Sequence, residues 1–246
     1  MASCSEALTG KVALITGAGR GIGRAIAVSL AEAGCSIAAV ARSTGEIGET
    51  AALVRERGRE ALALTTDVAS PDDVATSFQQ AVEALGPIDI LVNNAGYFVL
   101  KPIVETSLED FDQTLSVNLR GVFLCTKAVL PSMIERRAGF ILNIASTSSK
   151  RWYLGQGAYC ASKHGVLGFS KVLAEEMREH GVRVSSILPG GVNTRLVQEQ
   201  RDDIVDDEWM DPEDIGQLAV FLATAPPKAA IDEVVIRRYA ASPLHS

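Results

Sequence analysis

Short apolar segments alternate with helical patterns along this chain, and the alternation restricts its possible folds more than any other feature. The first segment, VALITG at 12–17, ends in glycine and precedes a helical stripe formed by Ile22, Ile26 and Leu30. Further strand-like segments lie at 35–42, 61–68, 88–96, 139–146, 182–191 and 232–238. Parallel strands need crossover connections, and right-handed crossovers place helices on both faces of the sheet. The pattern predicts a doubly wound α/β fold with a seven-stranded parallel sheet.

Local signals place several helices between these strands. Ser70 is expected to be an N-cap, Pro71 occupies the first helical position, and Asp72 and Asp73 complement the helix dipole. Other helices are predicted at about 107–134, 159–180 and 212–223. Because no linker, repeat or low-complexity segment interrupts the chain, we expect one domain over residues 1–246.

The composition argues against several classes of function. A net charge of -7 and a pI near 5.1 do not fit a nucleic-acid-binding surface. Four scattered cysteines without CxxC spacing and three histidines indicate neither a disulfide framework nor a metal site. We recognise no leader, and expect that no apolar run approaches the length of a membrane span. We expect a cytoplasmic protein without metal, nucleic-acid or membrane partners.

Glycine-rich and polar segments follow the predicted strands, where ligands of doubly wound sheets bind. These segments are TGAGRGIG (16–23), NNAG (93–96), ASTSS (145–149) and PGGVNT (189–194). Glycines in the first one allow the backbone to approach a pyrophosphate at a helix N-terminus, where free N–H groups favour anions. The spacing differs from GxGxxG, since Ile22 stands at the third position.

Tyr159 and Lys163 stand four residues apart in the segment AYCASKHG. On a helix they share one face, about 6 Å apart along the axis. A close ammonium favours the phenolate and brings the phenol toward the range in which it exchanges protons. Such pairs are common on helices, so the spacing alone does not make this one catalytic.

Together these motifs resemble the short-chain dehydrogenase/reductase family along nearly the whole chain. The matching features, in the family's order, are Gly17, Gly21 and Gly23 of TGxxxGxG, Asp67, NNAG, Asn118, Ser146, Tyr159 with Lys163, and PGGVNT. Considered singly, each has a purely structural explanation. For example, Asn93 and Asn94 could hydrogen-bond a strand to its neighbours, and Ser146 could be a loop hydroxyl with its own partners. The resemblance implies a Rossmann fold and nicotinamide-dependent interconversion of a carbonyl and an alcohol.

The resemblance also implies a role for each of four catalytic residues. Ser146 and Tyr159 would donate hydrogen bonds to the carbonyl oxygen as negative charge develops there, and Tyr159 would transfer the proton. Lys163 would lower the pKa of the tyrosine and hold the nicotinamide ribose. Asn118 would support a water molecule that relays protons to Lys163.

By the same resemblance, Asp67 meets the adenine edge and Asn94 the adenosine ribose, while Thr194 and the backbone at Val192 meet the carboxamide and pyrophosphate region. The full set of expected cofactor residues is Gly17, Arg20, Gly21, Ile22, Gly23, Arg42, Asp67, Val68, Asn94, Ala95, Gly96, Tyr159, Lys163, Pro189, Gly190, Val192 and Thr194.

The end of the second strand favours NADP(H) over NAD(H). NAD binders usually place an acid there, whereas here Ala41 occupies that position and Arg42 offers a guanidinium to a 2′-phosphate. Arg20 could approach the phosphate from the other side. Ser43 and Thr44 either add hydroxyl donors or cap the next helix. The alternative is that Arg42 merely faces solvent.

The substrate is less defined than the cofactor. The expected pocket residues are Tyr97, Phe98, Trp152, Tyr153, Leu154 and Gln156. Surface packing or subunit contact is the alternative for each aromatic residue. Lys150 and Arg151 either meet an acidic substrate or an acyl-carrier protein, or are simply solvated. The acid-rich segment 195–210 is expected to form a mobile lid.

The C-terminal sequence departs from the family pattern, because IDEVVIRRYAASPLHS lacks the Gly-Gly pair that ends many relatives. This weakens a specific assignment to the 3-oxoacyl-[acyl-carrier-protein] reductases. We expect an NADP(H)-dependent oxidoreductase acting between a ketone or aldehyde and an alcohol, on a 3-oxoacyl or other small hydrophobic substrate. Alternatives are an NAD-dependent alcohol dehydrogenase of the same fold and a non-catalytic nucleotide-binding regulator.

Relatives usually form dimers or tetramers through the helices around 107–134 and 159–180, so a homo-oligomer is expected. The residues that would supply apolar contacts are Val122, Phe123, Val129, Val166 and Phe169, unless the core of one subunit takes them.

Overall fold

The computed structural model describes residues 6–200, 208–226 and 228–242. Its strands are β1 Val12–Thr16, β2 Ser36–Ala41, β3 Ala61–Thr65, β4 Ile90–Asn93, β5 Gly139–Ile144, β6 Val182–Gly190 and β7 Glu233–Arg237. All pair in parallel, in the order β3-β2-β1-β4-β5-β6-β7. The helices are α1 Gly21–Glu32, α2 Thr44–Glu56, α3 Pro71–Leu85, α4 Leu108–Leu115, α5 Gly121–Arg136, α6 Gly157–Met177, α7 Arg195–Gln198 and α8 Pro212–Ala223. The predicted doubly wound Rossmann fold is confirmed.

The central strands are apolar at almost every position because helices cover both faces of the sheet. On one face Leu14 and Leu91 pack in a cluster with Phe78 of α3. On the other face Ile15 and Val92 belong to the cluster that includes residues of α1 and α8. The strand order reverses between β1 and β4, so the loops after these two strands meet at one edge of the sheet.

The predicted start of α3 is confirmed. The hydroxyl of Ser70 accepts the backbone N–H of Asp73 at 3.3 Å, and Pro71 occupies the first helical position. The helices expected around 107–134 are α4 and α5, and a π-helical turn at Ser116–Arg120 separates them. Periodicity could not reveal this turn, because one wider turn leaves the apolar pattern on either side intact.

The residues expected at a subunit interface divide into two groups. Val122, Val129 and Val166 are buried within the subunit, which is the alternative that the sequence left open for them. The ring of Phe123 is 47% exposed and lies 6.3 Å from the ring of Phe169. Phe123 is thus available on the surface of α5.

The continuous helical stretch Leu108–Arg136 spans 29 residues, and its most apolar window has a mean hydropathy of 1.2. By length and composition it is able to cross a membrane, so the expectation that no apolar run approaches this length is wrong. In the fold 44% of that window is buried, and buried core helices of other proteins meet the same two criteria.

Candidate functional site

A cleft of about 820 Å³ opens at the carboxyl ends of the strands. The expected cofactor residues line it, with the exception of Gly23. A Cβ atom at Gly23 would lie 2.2 Å from the Gly17 carbonyl oxygen. Gly23 therefore allows α1 to pack against the preceding turn, and its expected place in the lining is corrected.

The first turn leaves backbone donors free at the start of α1. Gly17 and Gly21 adopt positive φ angles of 64° and 53°, which only glycine adopts at little cost. No side chain caps this helix at its N-cap residue, Arg20. The unpaired N–H groups and the helix dipole favour an anionic group at this point.

The loop after β4 is tied to the first turn by Asn94. Its side-chain amide donates to the carbonyl oxygens of Thr16 at 3.0 Å and Gly17 at 3.2 Å. The Thr16 hydroxyl oxygen in turn accepts the backbone N–H groups of Asn94 and Ala95, each at 3.0 Å. Asn94 thus lines the cleft and also supports the glycine turn.

Asn93 points into the core, as its structural explanation required. Its amide donates to the Asn143 side-chain oxygen at 2.8 Å and to the Thr126 hydroxyl at 3.1 Å. Asn143 continues the series by donating to Ser170 at 2.8 Å. Strands β4 and β5 are therefore joined to α5 and α6 by buried amide groups.

Ser146, Tyr159 and Lys163 lie together in the cleft wall. Ser146 ends the segment after β5, where its hydroxyl accepts the backbone N–H of Ser148 at 3.0 Å. A hydrogen bond links the side chains of Tyr159 and Ser146. The Nζ atom of Lys163 lies 5.7 Å from the Tyr159 ring centre and donates to the Ile144 carbonyl at 2.8 Å.

Burial controls the protonation of Tyr159 and Lys163. It raises the pKa of Tyr159 from 10.0 to about 12, against a smaller lowering by the hydrogen bond with Ser146. It lowers the pKa of Lys163 from 10.5 to about 8. The expected lowering of the tyrosine pKa by Lys163 is wrong, because the pKa is raised, chiefly by burial, and Lys163 does not contribute to the shift. At neutral pH this geometry holds a protonated phenol beside an ammonium group.

Asn118 lies behind the cleft wall, in the π turn between α4 and α5. Its side-chain oxygen accepts the Tyr97 backbone N–H at 2.7 Å, and its amide donates to the Tyr97 carbonyl at 2.9 Å. The amide also donates to the hydroxyl of Ser162 at 3.0 Å, one residue before Lys163. Asn118 therefore connects the loop after β4 to α6, and its water-relay role stays a prediction.

The adenosine end of the cleft contains the residues expected to select the cofactor. Arg42 lines it, is exposed, and forms no ion pair within the described residues. Arg20 also lines it, with a guanidinium nitrogen 3.8 Å from Glu46 and 3.9 Å from Glu199. Ser43 caps α2 through the backbone N–H of Glu46 at 3.5 Å, as the second interpretation of that residue required.

The expected substrate wall is corrected in part. Tyr153 and Gln156 line the cleft, but Trp152 and Leu154 are 86% and 97% exposed and lie outside it. Tyr97 is also absent from the lining, because it packs beside the cluster of buried residues under α5 and α6. Phe98, which was also expected, does line the cleft, where its ring meets the Tyr159 ring edge-on at 4.9 Å.

Sequence reasoning missed several lining residues, which are Glu46, Thr147, Arg237 and Arg238. The loss of the Gly-Gly pair was the available signal for the last two. Of the expected lid, Leu196 and Val197 of α7 and Trp209 line the cleft, while 201–207 lies outside the described residues.

The described cysteines are free thiols, and Cys35 and Cys125 are buried. Burial raises the pKa of each of these two thiols to about 12. Over residues 6–200, 208–226 and 228–242, no group of three His, Cys, Asp or Glu side chains is arranged to hold a metal.

Comparison with known proteins agrees with this geometry. Residues 11–205 match the family model described as short chain dehydrogenase. The chain is 36% identical over 231 residues to a 3-oxoacyl-[acyl-carrier-protein] reductase of Synechocystis, covering 92% of this chain and 94% of that one. It is 42% identical to a D-threitol dehydrogenase of Mycolicibacterium smegmatis, with 88% and 87% covered. A metagenomic short-chain oxidoreductase solved in complex with NADP superposes with a TM-score of 0.84 at 33% identity, covering 95% of this chain and 99% of that one.

Proposed function

Because the chain belongs to the short-chain dehydrogenase/reductase family of oxidoreductases, we propose that it interconverts a carbonyl and an alcohol with NADP(H). The observation that carries this proposal is the placement of Ser146, Tyr159 and Lys163 in one wall of the cleft. The substrate is a small molecule, and the names of the relatives do not define it further. One relative is named for an acyl thioester and another for a sugar alcohol.

The cleft residues fit a nicotinamide dinucleotide. Gly21 leaves 3.3 Å between a would-be Cβ and the Thr194 methyl group, so a larger residue would narrow the approach to the start of α1. The uncapped N-terminus of α1 suits the pyrophosphate, and Asp67 and Asn94 lie in the same lining. When bound, the nicotinamide would supply the hydride.

Tyr159 acts as the proton donor in the reductive direction. Its raised pKa keeps the phenol protonated at neutral pH, and Ser146 is placed to donate a second hydrogen bond to the same substrate oxygen. Lys163 keeps a positive charge close to the phenol as the proton leaves, which stabilises the phenolate that forms. Asn118 and Ser162 hold the start of α6 at the distance these transfers require.

The preference for NADP(H) rests on Arg42. This guanidinium has no acidic partner among the described residues and lies beside Ala41, where an acid would repel a 2′-phosphate. The nearby carboxylate of Glu46 lies 3.7 Å from Arg195 and 3.8 Å from Arg20, and this pairing reduces its repulsion of a phosphate.

A panel of ketones, aldehydes and alcohols tests the proposed function. The purified protein is expected to consume NADPH with at least one carbonyl of the panel and to form NADPH from the matching alcohol. The test uses absorbance at the nicotinamide band together with product identification. Tight NADPH binding without turnover of any member would instead indicate a nucleotide-binding regulator.

A further inference from the structure

Two arginines, Arg151 and Arg238, line the cleft close to Ser146. The backbone N–H of Arg151 donates to the carbonyl of Thr147 at 3.0 Å, and Thr147 directly follows Ser146. The backbone N–H of Arg238 donates to the carbonyl of Gly190 at 3.2 Å. Gly190 packs on Thr147, since a Cβ added there would lie 2.7 Å from the threonine methyl group. Both arginines therefore enter the cleft at the end that holds the proton donors.

Neither guanidinium is neutralised in the part of the chain that the structure describes, where no carboxylate forms an ion pair with Arg151 or Arg238. The adjacent cationic residues are already engaged. Lys150 forms an ion pair with Glu233, and the Arg237 guanidinium donates to the Arg238 carbonyl at 3.0 Å and to a further carbonyl of the same turn. The charge of Lys150 is thus neutralised by Glu233, whereas the guanidinium of Arg151 remains available to bind an anion.

The side chain of Arg238 is held in place without being neutralised. Its guanidinium carbon lies 4.6 Å from the centre of the Trp209 ring, and its aliphatic part crosses Gly191, where a Cβ would come within 2.8 Å of it. Stacking on an indole fixes the plane of a guanidinium while its N–H groups still point outward along the edges. Such a fork matches the two oxygens of a carboxylate or phosphate.

The cofactor does not account for these two charges. Its 2′-phosphate is assigned to Arg42 and its pyrophosphate to the start of α1, on the other side of the strand-order reversal. In a protein with a net charge of -7, unpaired cations in a cleft concentrate anions there. Arg238 also directly follows β7, in the region where many relatives carry Gly-Gly.

We propose that Arg151 and Arg238 bind an anionic group of a small carbonyl substrate, either a carboxylate or a phosphate. This inference rests on the proposed function and names the class of its substrate. It takes up the acidic substrate left open for Arg151, in place of a small hydrophobic carbonyl compound. Binding of an acyl-carrier protein by the same arginines is a different outcome, which the experiment separates.

The experiment compares charged and neutral members of matched pairs, 4-oxopentanoate with its methyl ester and dihydroxyacetone phosphate with dihydroxyacetone, using NADPH. The wild type is expected to prefer the charged member of one pair in kcat/KM. Arg151→Gln and Arg238→Gln should each lower that value roughly tenfold or more, the usual effect of losing a hydrogen bond to a charged group. The neutral member and the KM for NADPH should not change. The pair that responds distinguishes carboxylate from phosphate.

Lys150→Gln is the matched control, because this neighbouring charge is already paired with Glu233. It should leave the kcat/KM ratio of charged to neutral member unchanged in both pairs. Arg238→Lys keeps the charge but loses the planar fork, so it should give an intermediate value if Arg238→Gln does not fold. Equal use of both members by the wild type, or equal losses for both in the variants, would overturn the proposal. So would a loss confined to a carrier-protein thioester.

A binding measurement separates this proposal from the proposed function. With NADP⁺ present and no turnover possible, 4-oxopentanoate or dihydroxyacetone phosphate should raise the Tm of the wild type and not that of Arg238→Gln. If this rise in Tm occurs but no carbonyl compound is reduced, the proposed function is contradicted and the anion site is not. Absence of the shift with both anions would sink the anion site.

Discussion

The ammonium group of Lys163 lies 5.7 Å from the centre of the Tyr159 ring, while its hydrogen bond goes to the backbone carbonyl of Ile144. The lysine donates to the backbone rather than to the phenol, so its position is fixed by β5, and its predicted effect on the phenol is through charge. Loss of the tyrosine hydroxyl should leave this lysine in place.

Tyr159→Phe is accordingly expected to retain NADPH binding and to lose turnover. The ring and its edge-on contact with Phe98 remain, and only the transferable proton is removed. A positioned proton donor contributes roughly 100-fold or more, so kcat should fall by at least that factor. Steady-state rates and fluorescence titration of NADPH measure the two effects. A variant that kept a tenth of the wild-type kcat would contradict the acid/base assignment.

Relative to Lys163→Met, the stability of the wild type should increase as pH rises from 8 toward 10.5, because of Lys163. Its folded pKa of about 8 lies below its ordinary 10.5, so the buried charge costs stability at pH values below 8, and this cost disappears above 10.5. The full change corresponds to about 3 kcal/mol in the free energy of unfolding. Urea denaturation of the wild type and Lys163→Met at several pH values measures it. The free energies of unfolding of the two proteins should converge as pH rises. Parallel pH profiles of these free energies would refute the prediction.

Ionisation of Tyr159 should lower the stability of the protein at higher pH. Its pKa is raised to about 12, so its contribution to stability is fully present below pH 10 and is lost between 10 and 12. Burial also raises the pKa of Cys35 and Cys125 from 9.0 to about 12, so their contribution to stability is lost from pH 9 upward. The Lys163 effect is therefore read from the difference between the wild type and Lys163→Met, not from the wild type alone.

Cofactor preference should respond to Arg42. Arg42→Ala is expected to lower kcat/KM for NADPH roughly tenfold or more, through loss of a charge-assisted hydrogen bond, and to leave NADH nearly unaffected. Adding Ala41→Asp should then favour NADH. Arg57→Ala serves as the control, because Arg57 pairs with Glu32 at the other end of α2. Equal use of both cofactors by the wild type would refute the preference.

Two glycines of neighbouring helices should respond in opposite ways to alanine. Gly23→Ala places a Cβ 2.2 Å from the Gly17 carbonyl, so the turn must shift, with a lower Tm and weaker NADPH binding. Gly48→Ala in α2 meets nothing within 4 Å and should stabilise the protein by up to about 1 kcal/mol. Thermal unfolding of both variants is the measurement. An unchanged Tm and NADPH affinity in Gly23→Ala would show that the close contact is not limiting.

Assembly is expected to use the exposed apolar residues of α4, α5 and α6. Leu108, Phe123 and Val172 are 76%, 47% and 59% exposed on these helices. Light scattering should give a multiple of 26.1 kDa, and Phe123→Glu should reduce it. Val82→Glu, on α3, is the control at an exposed apolar residue outside this surface. A wild-type mass near 26 kDa at micromolar concentration would contradict the oligomer.

The strands and the first glycine turn could be predicted from the sequence because both depend on local patterns. Each apolar run that the alternation identified became a strand, and Ser70 capped α3 as expected. The prediction of a single domain rests on the same patterns and stays a prediction.

The substrate wall could not be predicted in this way, because its members come from distant segments whose side-chain directions depend on tertiary packing. Adjacent side chains there point in different directions. Tyr97 faces the packed helices, whereas Phe98 faces the cleft. Trp152 faces solvent, whereas Tyr153 faces the cleft. Arg238 reaches this wall only because β7 pairs with β6. A pattern within one segment does not carry that information.

The π turn at Ser116–Arg120 sets the phase of the helix that follows it. The backbone N–H of Gly121 donates to the Ser116 carbonyl, five residues earlier, so one residue more than an α-helical turn is accommodated there. If the same residues instead continued as a regular α-helix, everything after the turn would be rotated by about 100° relative to α4. Asn118 would then face α6 only if Phe123 turned away from the surface. The position of Asn118 against α6 and the outer surface of α5 are thus set by the same helical phase. A change in one requires a change in the other.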